Sequence, residues 1–286
     1  WPINIGKIDN KMNQLKHIKA IVFDWAGTMI DHGSRAPAIV FVEIFKRQGI
    51  EISFAQAREP MGMAKREHIA AITKMPEVKS QWLAKFGREC EESNIDQMYE
   101  QFLPLQMETL RNYSQLIDGA AEAADTCRAM GLKVGSSTGY TRELMVDVKI
   151  KAKEQGYEPD ITLCAEDAPR GRPAPYLLFE AAKQLDVFPM QSIVKVDDTI
   201  LGVEAGINAG CWSIGITQTG NLLGLSEVEI QALTSDGLND QTNEICRQFQ
   251  AAGAHLAINS VREIEQALRR IDTAMEAGSF PQRYEL

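Results

Sequence analysis

The stretch Lys19–Asp24, with the sequence KAIVFD, is a short apolar run that ends in a carboxylate. Such a run is typical of a buried β-strand. From Gly119 onward, similar runs alternate with helical patterns, with short turns between them. This alternation predicts an α/β fold in which a mostly parallel sheet carries helices on both faces. The later strands are predicted at Lys133–Ser137, Asp160–Cys164, Ser192–Val196, Cys211–Ile216 and His255–Ile258.

The region between the first and second strands has a different character, because residues 36–112 show helical patterns and no strand pattern. Ser53 followed by Gln56 predicts a capping box at a helix start. The other helices are predicted at Ala38–Arg47, Met61–Thr73, Ser80–Cys90 and Asp96–Arg111.

These patterns predict two domains. An inserted helical cap domain is expected at residues 34–112, and the catalytic core at 12–33 and 113–286. Residues 1–11 are interpreted as an extension or an expression remnant. Residues 218–250 are polar, and no structure is predicted for them.

Composition excludes several classes of partner. The chain has 286 residues, 44% of them hydrophobic, and a formal charge of −9. A nucleic acid or an anionic membrane would require a basic face, so neither is expected as a partner. No apolar run approaches the roughly 20 residues of a membrane span. The odd number of widely spaced cysteines indicates buried thiols in a cytoplasmic protein; they are Cys90, Cys127, Cys164, Cys211 and Cys246.

Polar residues follow several predicted strands. Asp24 ends the first strand, Thr138 follows the second, and Asp197 and Asp198 follow the fourth. Arg172 lies before a proline in the loop after the third strand. Ligands of an open parallel sheet bind beyond the carboxyl ends of its strands, so these side chains are candidates for one site.

The order of these four elements resembles the haloacid dehalogenase superfamily of phosphoryl-transfer enzymes, over nearly the whole chain. The resemblance implies a Rossmann-like core with a helical cap, and Asp24 as the nucleophile. It implies that Thr138 and Arg172 hold the phosphoryl oxygens. It also implies Mg²⁺ bound by Asp24, the backbone carbonyl of Ala26 and Asp198.

A metal ion is also expected on physical grounds. A carboxylate that approaches a phosphoryl dianion at about 4 Å is repelled by roughly 8 kcal/mol at an effective dielectric constant near 20. A divalent cation offsets this repulsion, and Mg²⁺ prefers oxygen ligands. Many superfamily members carry an acidic residue four positions after Asp198, where this chain has Gly202. We therefore expect the metal to rely in part on Asp197 or on water.

Ala26 narrows the class of superfamily enzyme to which the sequence can be compared. Most phosphatases of the superfamily carry a second aspartate at this position as general acid and base, and alanine cannot transfer a proton. The segment Asp24–Thr28 (DWAGT) resembles the phosphonoacetaldehyde hydrolases (phosphonatases), which carry alanine there. That resemblance implies hydrolysis of a carbon–phosphorus bond, giving acetaldehyde and phosphate through an aspartyl phosphate.

A carbon leaving group needs an electron sink, which a lysine imine of the substrate aldehyde supplies. Pro60–His68 (PMGMAKREH) resembles the family segment whose lysine forms this imine. On a helix, Met61, Lys65 and His68 would share one face. The resemblance implies Lys65 as the amine, His68 as a proton relay, and Met61 and Tyr140 as substrate-binding residues.

Other interpretations remain open. Lys65 could be an ordinary exposed lysine, and His68 and Tyr140 could be packing residues. A phosphate-ester phosphatase or mutase would keep Asp24 and Asp198 and use Lys65 only as a charge. A non-catalytic relative would keep only the fold. The resemblance further implies a homodimer formed through the cap.

Overall fold

The computed structural model describes residues 14–281, so the extension predicted at residues 1–11 lies outside the described residues. Six parallel strands form one sheet in the order β3-β2-β1-β4-β5-β6. The predicted parallel α/β core is therefore confirmed, with every predicted strand within two residues of its observed bounds. The strands are β1 (Ala20–Phe23), β2 (Lys133–Ser137), β3 (Ile161–Leu163), β4 (Ile193–Asp197), β5 (Trp212–Ile216) and β6 (Leu256–Ile258).

Strand β1 lies in the middle of the sheet and is buried on both faces. Its side chains alternate, as a strand requires: Ile21 and Phe23 join one hydrophobic cluster, and Ala20 and Val22 join another. Phe23 pairs with β2 on one side and with β4 on the other. The carboxyl ends of these three strands consequently lie side by side.

Five helices follow β1 before the sheet continues, as the sequence predicts. The capping box at Ser53 is confirmed, because its side chain accepts from the Gln56 backbone and Gln56 reciprocates. The helices pack around their own hydrophobic cluster, which includes Phe41, Trp82 and Phe102. Their bounds are α1 (Arg35–Arg47), α2 (Phe54–Arg58), α3 (Lys65–Thr73), α4 (Pro76–Phe86) and α5 (Glu92–Leu110).

The four cap helices predicted with bounds have different bounds in the structure, and α1 and α5 begin three and four residues before the predicted Ala38 and Asp96. The helix expected from Met61 begins only at Lys65, because Gly62 adopts φ 101° within a turn. The helix expected at Ser80–Cys90 is α4 (Pro76–Phe86). Proline is favoured in the first helical turn, and Gly87 ends the helix at φ 68°.

The core helices cover both faces of the sheet. Residues 218–250, for which no structure was predicted, contain two helices that start at Ser226 and Thr234, each of which caps its helix through its hydroxyl. The core helices are α6 (Ala120–Ala129), α7 (Arg142–Glu154), α8 (Tyr176–Leu185), α9 (Ile200–Ala209), α10 (Glu227–Gln231), α11 (Ser235–Ala251) and α12 (Ile264–Glu276). Short 3-10 turns occur at Ala165–Asp167, Met190–Ser192 and Val261–Glu263.

The cysteines only partly follow the prediction of buried thiols. Cys127, Cys164 and Cys211 are buried, whereas Cys90 and Cys246 are half-buried, and all are free thiols. Within residues 14–281, no helix combines the length and apolarity that crossing a membrane requires.

Candidate active site

Asp24 directly follows β1 and is held against the neighbouring strand, because its backbone N–H donates to the carbonyl of Val196 at 2.9 Å. The chain then turns sharply at Gly27, which has φ 79°. A side chain at Gly27 would place its Cβ 2.0 Å from Oδ2 of Asp198. Glycine is therefore required here for the loop after β1 to approach the end of β4.

Three buried carboxylates converge at this edge of the sheet. Asp24, Asp197 and Asp198 each offer an oxygen atom, and these atoms lie within 4.8 Å of one another. At that separation and an effective dielectric constant near 20, two unit charges repel by about 3 kcal/mol. Burial, and then the charge of Asp24, raises the pKa of Asp198 well above its usual value. The cluster therefore requires positive charge to remain ionised.

Asp24 and Asp198 have the donor set that a divalent cation needs. Oδ2 of Asp198 accepts from the backbone of Asn221 at 2.8 Å, whereas its buried Oδ1 has no hydrogen-bond partner within residues 14–281. Ala26 lines the same cavity as both carboxylates. Carboxylate and carbonyl oxygens are the ligands Mg²⁺ prefers, so the predicted ligand set fits this site.

Asp197 is engaged differently. Its Oδ1 accepts from the backbone and hydroxyl of Thr199, and its Oδ2 forms ion pairs with Lys195 at 2.9 Å and Arg172 at 3.2 Å. Burial alone would raise the pKa of Asp197, but these two cations hold it below its usual value. Asp197 thus neutralises two buried cations, whereas Asp198 forms no such ion pair among the described residues.

The position of Asp197 explains the glycine at 202. A Cβ added to Gly202 would lie 1.9 Å from Cγ of Asp197 and about as close to both of its carboxylate oxygens. Asp197 therefore fills the space that a side chain at position 202 would need. An acidic residue at that position, expected by comparison with many superfamily members, is incompatible with Asp197 in its observed place.

Arg172 lies at the centre of the buried charges. Its Nη2 donates to Oδ1 of Asp24 at 2.6 Å and to the carbonyl of Ser137 at 2.8 Å. Asp197 and Asp24 raise the pKa of Arg172 in spite of its burial, so it stays charged. Thr138 follows β2 beside it, and both residues line the cavity. Arg172, bonded to Asp24, and Thr138 thus line the same cavity as Asp24.

Lys65 reaches this cavity from the cap. It is the first residue of α3, only 6% exposed, and lines the cavity together with Asp24 and Asp198. The interpretation of Lys65 as an ordinary exposed lysine is therefore wrong. The cavity has a volume of about 30 Å³, comparable to a single water molecule. The cap therefore lies close to the core and leaves little space over Asp24.

The surroundings of Lys65 favour a neutral amine. Its Nζ lies 5.1 Å from the ring centre of Tyr140 and 5.6 Å from that of Phe41. Burial lowers the pKa of Lys65 to about 8, against the opposing charge of Asp24. At neutral pH roughly one such amine in ten is uncharged, compared with about one in 2,500 for a free lysine.

His68 is fully buried in the cap and stacks on Phe41, with ring centres 3.7 Å apart. Its Nε2 lies 2.9 Å from the carbonyl of Ala57, which requires Nε2 to carry the proton. Among the described residues, its buried Nδ1 has no hydrogen-bond partner. Burial, and then the charge of Lys65, lowers the pKa of His68 well below its usual value, so the ring is neutral and Nδ1 is a weak base. His68 does not line the cavity that holds Lys65 and Asp24.

Met61 and Tyr140 lie where a substrate-binding role requires, although Met61 is not on the helix predicted for it. Met61 is buried in the turn before α3, and both residues line the cavity. The backbone N–H of Tyr140 donates to Oγ1 of Thr138 at 3.1 Å. This bond ties the ring beside Lys65 to the phosphoryl-binding residue predicted after β2.

Sequence reasoning missed Lys195, Arg58 and Asn221. Lys195 is 1% exposed within β4, and a lysine inside an apolar strand is a signal that could have revealed it. Arg58 and Asn221 hydrogen-bond across the boundary between cap and core. Their partners are distant in sequence, and no local pattern marks them.

Comparison with known proteins defines the class. A family model described as haloacid dehalogenase-like hydrolase matches residues 18–210. The chain belongs to this family of hydrolases, in agreement with the resemblance seen in its strand-end motifs.

More similar relatives define the subgroup. The phosphonoacetaldehyde hydrolase of Paraburkholderia xenovorans strain LB400 is 40% identical over 93% of this chain and 100% of that protein. That of Bacillus cytotoxicus is 40% identical over 89% of this chain and 97% of that protein. A crystal structure of a phosphonoacetaldehyde hydrolase-like protein from Oleispira antarctica has 39% identity and a TM-score of 0.91, covering 94% and 97% of the two chains. The chain belongs to the phosphonoacetaldehyde hydrolase family.

Proposed function

We propose that the protein hydrolyses the carbon–phosphorus bond of phosphonoacetaldehyde to acetaldehyde and phosphate. The reaction runs through an imine on Lys65 and an aspartyl phosphate on Asp24. One observation carries the proposal: a buried lysine with a lowered pKa shares a closed cavity with Asp24, and Ala26 leaves no acid at the usual position. The names of the full-length relatives support the same substrate.

The cap supplies the imine. The neutral amine of Lys65 attacks the aldehyde carbon, and uptake of one proton with loss of water leaves a protonated imine. His68 is assigned a proton relay in this step, because it and Lys65 both lie against the ring of Phe41. Its lowered pKa means that it passes a proton on and does not retain it. Enclosure of the site by the cap excludes bulk water while the imine exists.

The core supplies the phosphoryl acceptor. An oxygen of Asp24 forms a bond to phosphorus while the carbon–phosphorus bond breaks, and its electron pair passes into the imine to give an enamine. Protonation of the enamine carbon and hydrolysis release acetaldehyde and restore Lys65. A second water hydrolyses the aspartyl phosphate. Arg172 and Thr138 bind the phosphoryl oxygens throughout.

The carboxylates of Asp24 and Asp198, with the carbonyl of Ala26, would hold Mg²⁺. A bound divalent ion supplies positive charge between the attacking carboxylate and the phosphoryl group. The protein's own cations do not replace it. Lys195 is paired with Asp197, and Arg172, which would bind a phosphoryl oxygen, already shares its charge with Asp24 and Asp197. We therefore expect phosphate release to stop when the metal is chelated and to return when Mg²⁺ is restored.

Phosphate release from phosphonoacetaldehyde, measured beside borohydride trapping, tests the proposal. Lys65→Arg keeps the charge and removes the nucleophilic amine, so we expect both signals to vanish. Lys74→Arg changes an exposed lysine just after α3 and serves as the matched control. A phosphatase or mutase that uses Lys65 as a charge would tolerate Lys65→Arg and give no adduct. A non-catalytic relative would release no phosphate at all.

The predicted homodimer through the cap and the cytoplasmic location remain predictions. Sedimentation or size-exclusion measurements on the purified chain test the first of them.

A further inference from the structure

We propose that Arg58 and Asn221 are positioning residues, which set the carboxylate of Asp198 in place only when the cap lies on the core. The inference rests on the proposed function in one respect, that Asp198 is a metal ligand. It assigns a role to the loop after β5, which the sequence left without a prediction.

Arg58 joins the cap to the core. It is the last residue of α2, and its Nη1 donates to the carbonyl of Gly33 at 2.7 Å and to Oδ1 of Asn221 at 3.2 Å. Its Nη2 donates to the carbonyl of Gly224 at 3.1 Å. Gly33 lies in the connection between the domains, and Asn221 and Gly224 lie in the core loop. One cap side chain therefore binds two separate segments.

Asn221 continues this connection into the site. Its side-chain Nδ2 lies 3.4 Å from the carbonyl of Arg58, and its backbone N–H donates to Oδ2 of Asp198 at 2.8 Å. Asn221 is 3% exposed, so these contacts are shielded from water. The bond from Asn221 leaves Oδ1 of Asp198 as the buried, unpartnered oxygen. A continuous chain of hydrogen bonds thus runs from the cap to the candidate metal ligand.

Two glycines in the segments that surround the Arg58 side chain leave little space for any other arrangement. Gly224 has φ 67°, and a Cβ there would lie 2.7 Å from Cζ of Arg58. Gly33 has φ 82°, and a Cβ there would lie 2.5 Å from the carbonyl oxygen of Leu225. The close approach of connection, loop and guanidinium therefore depends on glycine at both positions.

The geometry links two events. Arg58 ends α2 and Lys65 begins α3, with a single turn between them in the cap. A movement that withdraws Lys65 from Asp24 therefore also withdraws Arg58 from Asn221. The loop then loses its cap contact, and Oδ2 of Asp198 loses a fixed donor. Transfer of the phosphoryl group to Asp24 is thereby linked to the presence in the site of Lys65, whose imine accepts the electron pair.

Mg²⁺ binding to the full-length chain, measured by calorimetry without substrate, tests this role. The direction in which the affinity changes distinguishes positioning from a simple effect of charge. Arg58 is a cation near the carboxylate cluster, so its removal would strengthen Mg²⁺ binding if charge alone mattered. As a positioning residue it has the opposite effect: we expect Arg58→Gln to weaken Mg²⁺ binding by about tenfold, as loss of an outer contact to a metal ligand typically does. Unchanged or tighter binding in that variant overturns the inference.

A second variant guards against misfolding of the first. Asn221→Ala keeps the backbone donor to Asp198 and removes the amide that Arg58 holds, so it should weaken Mg²⁺ binding similarly. Because both act through one chain, the double variant should bind no more weakly than the worse single variant. Fully additive losses contradict a shared connection.

Arg35→Gln is the matched control. Arg35 is another cap cation at the same boundary, paired with Glu229 at 3.2 Å, and it makes no hydrogen bond to Asn221 among the described residues. We expect its Mg²⁺ affinity to stay within about twofold of the parent chain. A loss equal to that of Arg58→Gln would mean that any loosening of the cap suffices, and the specific role would be refuted.

Amide hydrogen exchange in metal-free protein separates this inference from the proposed function. Peptides that contain residues 219–225 should exchange faster in Arg58→Gln than in the parent chain and in Arg35→Gln. Failure of the parent chain to cleave phosphonoacetaldehyde would refute the proposed reaction without touching this result. Equal exchange in the parent and Arg58→Gln would refute the positioning role even in an active enzyme.

Discussion

On the core side of the candidate site, Asp24 and Asp198 follow neighbouring parallel strands, and the backbone pairing of β1 with β4 sets their separation. On the cap side, Lys65 begins a helix whose distance from Asp24 depends on how two domains pack. The core half is thus built into the sheet, whereas the cap half is assembled by closure. Each half should therefore respond to mutation in its own way.

The two halves also differ in their electrostatics. The core buries three carboxylates beside Arg172 and Lys195. Burial raises the pKa of Asp24 and Asp198 in spite of the nearby Arg172, whereas Arg172 and Lys195 hold the pKa of Asp197 below its usual value. The cap surrounds one amine with aromatic rings and lowers its pKa to about 8. A carboxylate nucleophile needs its charge and an amine nucleophile needs to lose its charge. Burial therefore suits the amine of the cap by itself, whereas the carboxylate of the core needs nearby positive charge.

The largest effect should come from breaking the core half alone. Asp24→Asn removes the phosphoryl acceptor, and we expect phosphate release to fall by at least about 10⁴-fold. Imine formation should survive, because the charge of Asp24 raises the pKa of Lys65 and its loss favours the neutral amine. Borohydride trapping of acetaldehyde on Lys65 measures the second quantity.

Circular dichroism of Asp24→Asn provides the control, since this substitution also removes an ion-pair partner of Arg172. If a folded Asp24→Asn protein no longer traps acetaldehyde, the two halves of the site are not separable in the way their geometry indicates.

Moving the carboxylate from position 197 to position 202 tests how the core half is packed. Gly202→Asp forces a second side chain into the space of Asp197, and such overpacking should lower the unfolding free energy by about 3 kcal/mol. Asp197→Gly leaves Lys195 and Arg172 short of a buried partner and should cost about as much. Combining the two frees the space and restores a carboxylate, so urea denaturation should show recovery of more than half of either loss. Simple addition of the two losses would argue against a shared space.

The pH dependence of imine formation sharpens the description of the cap half. Below its pKa of about 8, Lys65 is an ammonium ion and cannot attack, so the initial rate of trapping should fall about tenfold per pH unit. Above that value the rate should level off. Acetaldehyde is the suitable probe, because it has no ionisable phosphonate of its own. A rate that keeps rising toward the usual lysine pKa near 10.4 would show that burial does not tune the amine.

The sequence predicted the core half of the site more completely than the cap half, for a physical reason. Strand β2 was predicted with its observed bounds, because the turn at Gly131, which has φ 88°, and the turn that begins after Thr138 give it clear local limits. A residue at the end of such a strand has its position fixed by the sheet, so Asp24 and Asp198 could be placed together from motifs alone.

In the cap, Lys65 was identified by resemblance, but its helix was predicted to start at Met61. The turn at Gly62 depends on tertiary contacts, since a Cβ there would approach Oγ1 of Thr199 to 2.8 Å. Arg58 gave no signal, because its partners are backbone carbonyls of Gly33 and Gly224. Contacts made by closure are between segments far apart in sequence and leave no local pattern.

The smallest expected effect separates stability from function in the same two regions. Ser53 and Thr141 each cap a helix through a hydroxyl, one in the cap and one in the core. Replacing either by alanine should lower the unfolding free energy by about 1 kcal/mol, because a backbone donor at a helix start loses its partner. If cap and core unfold together, both losses appear in one cooperative transition, and phosphate release stays within about twofold of the parent in each variant. A separate early transition in Ser53→Ala, absent from Thr141→Ala, would instead show that the cap melts on its own, as expected if closure rather than the sheet holds Lys65 in place.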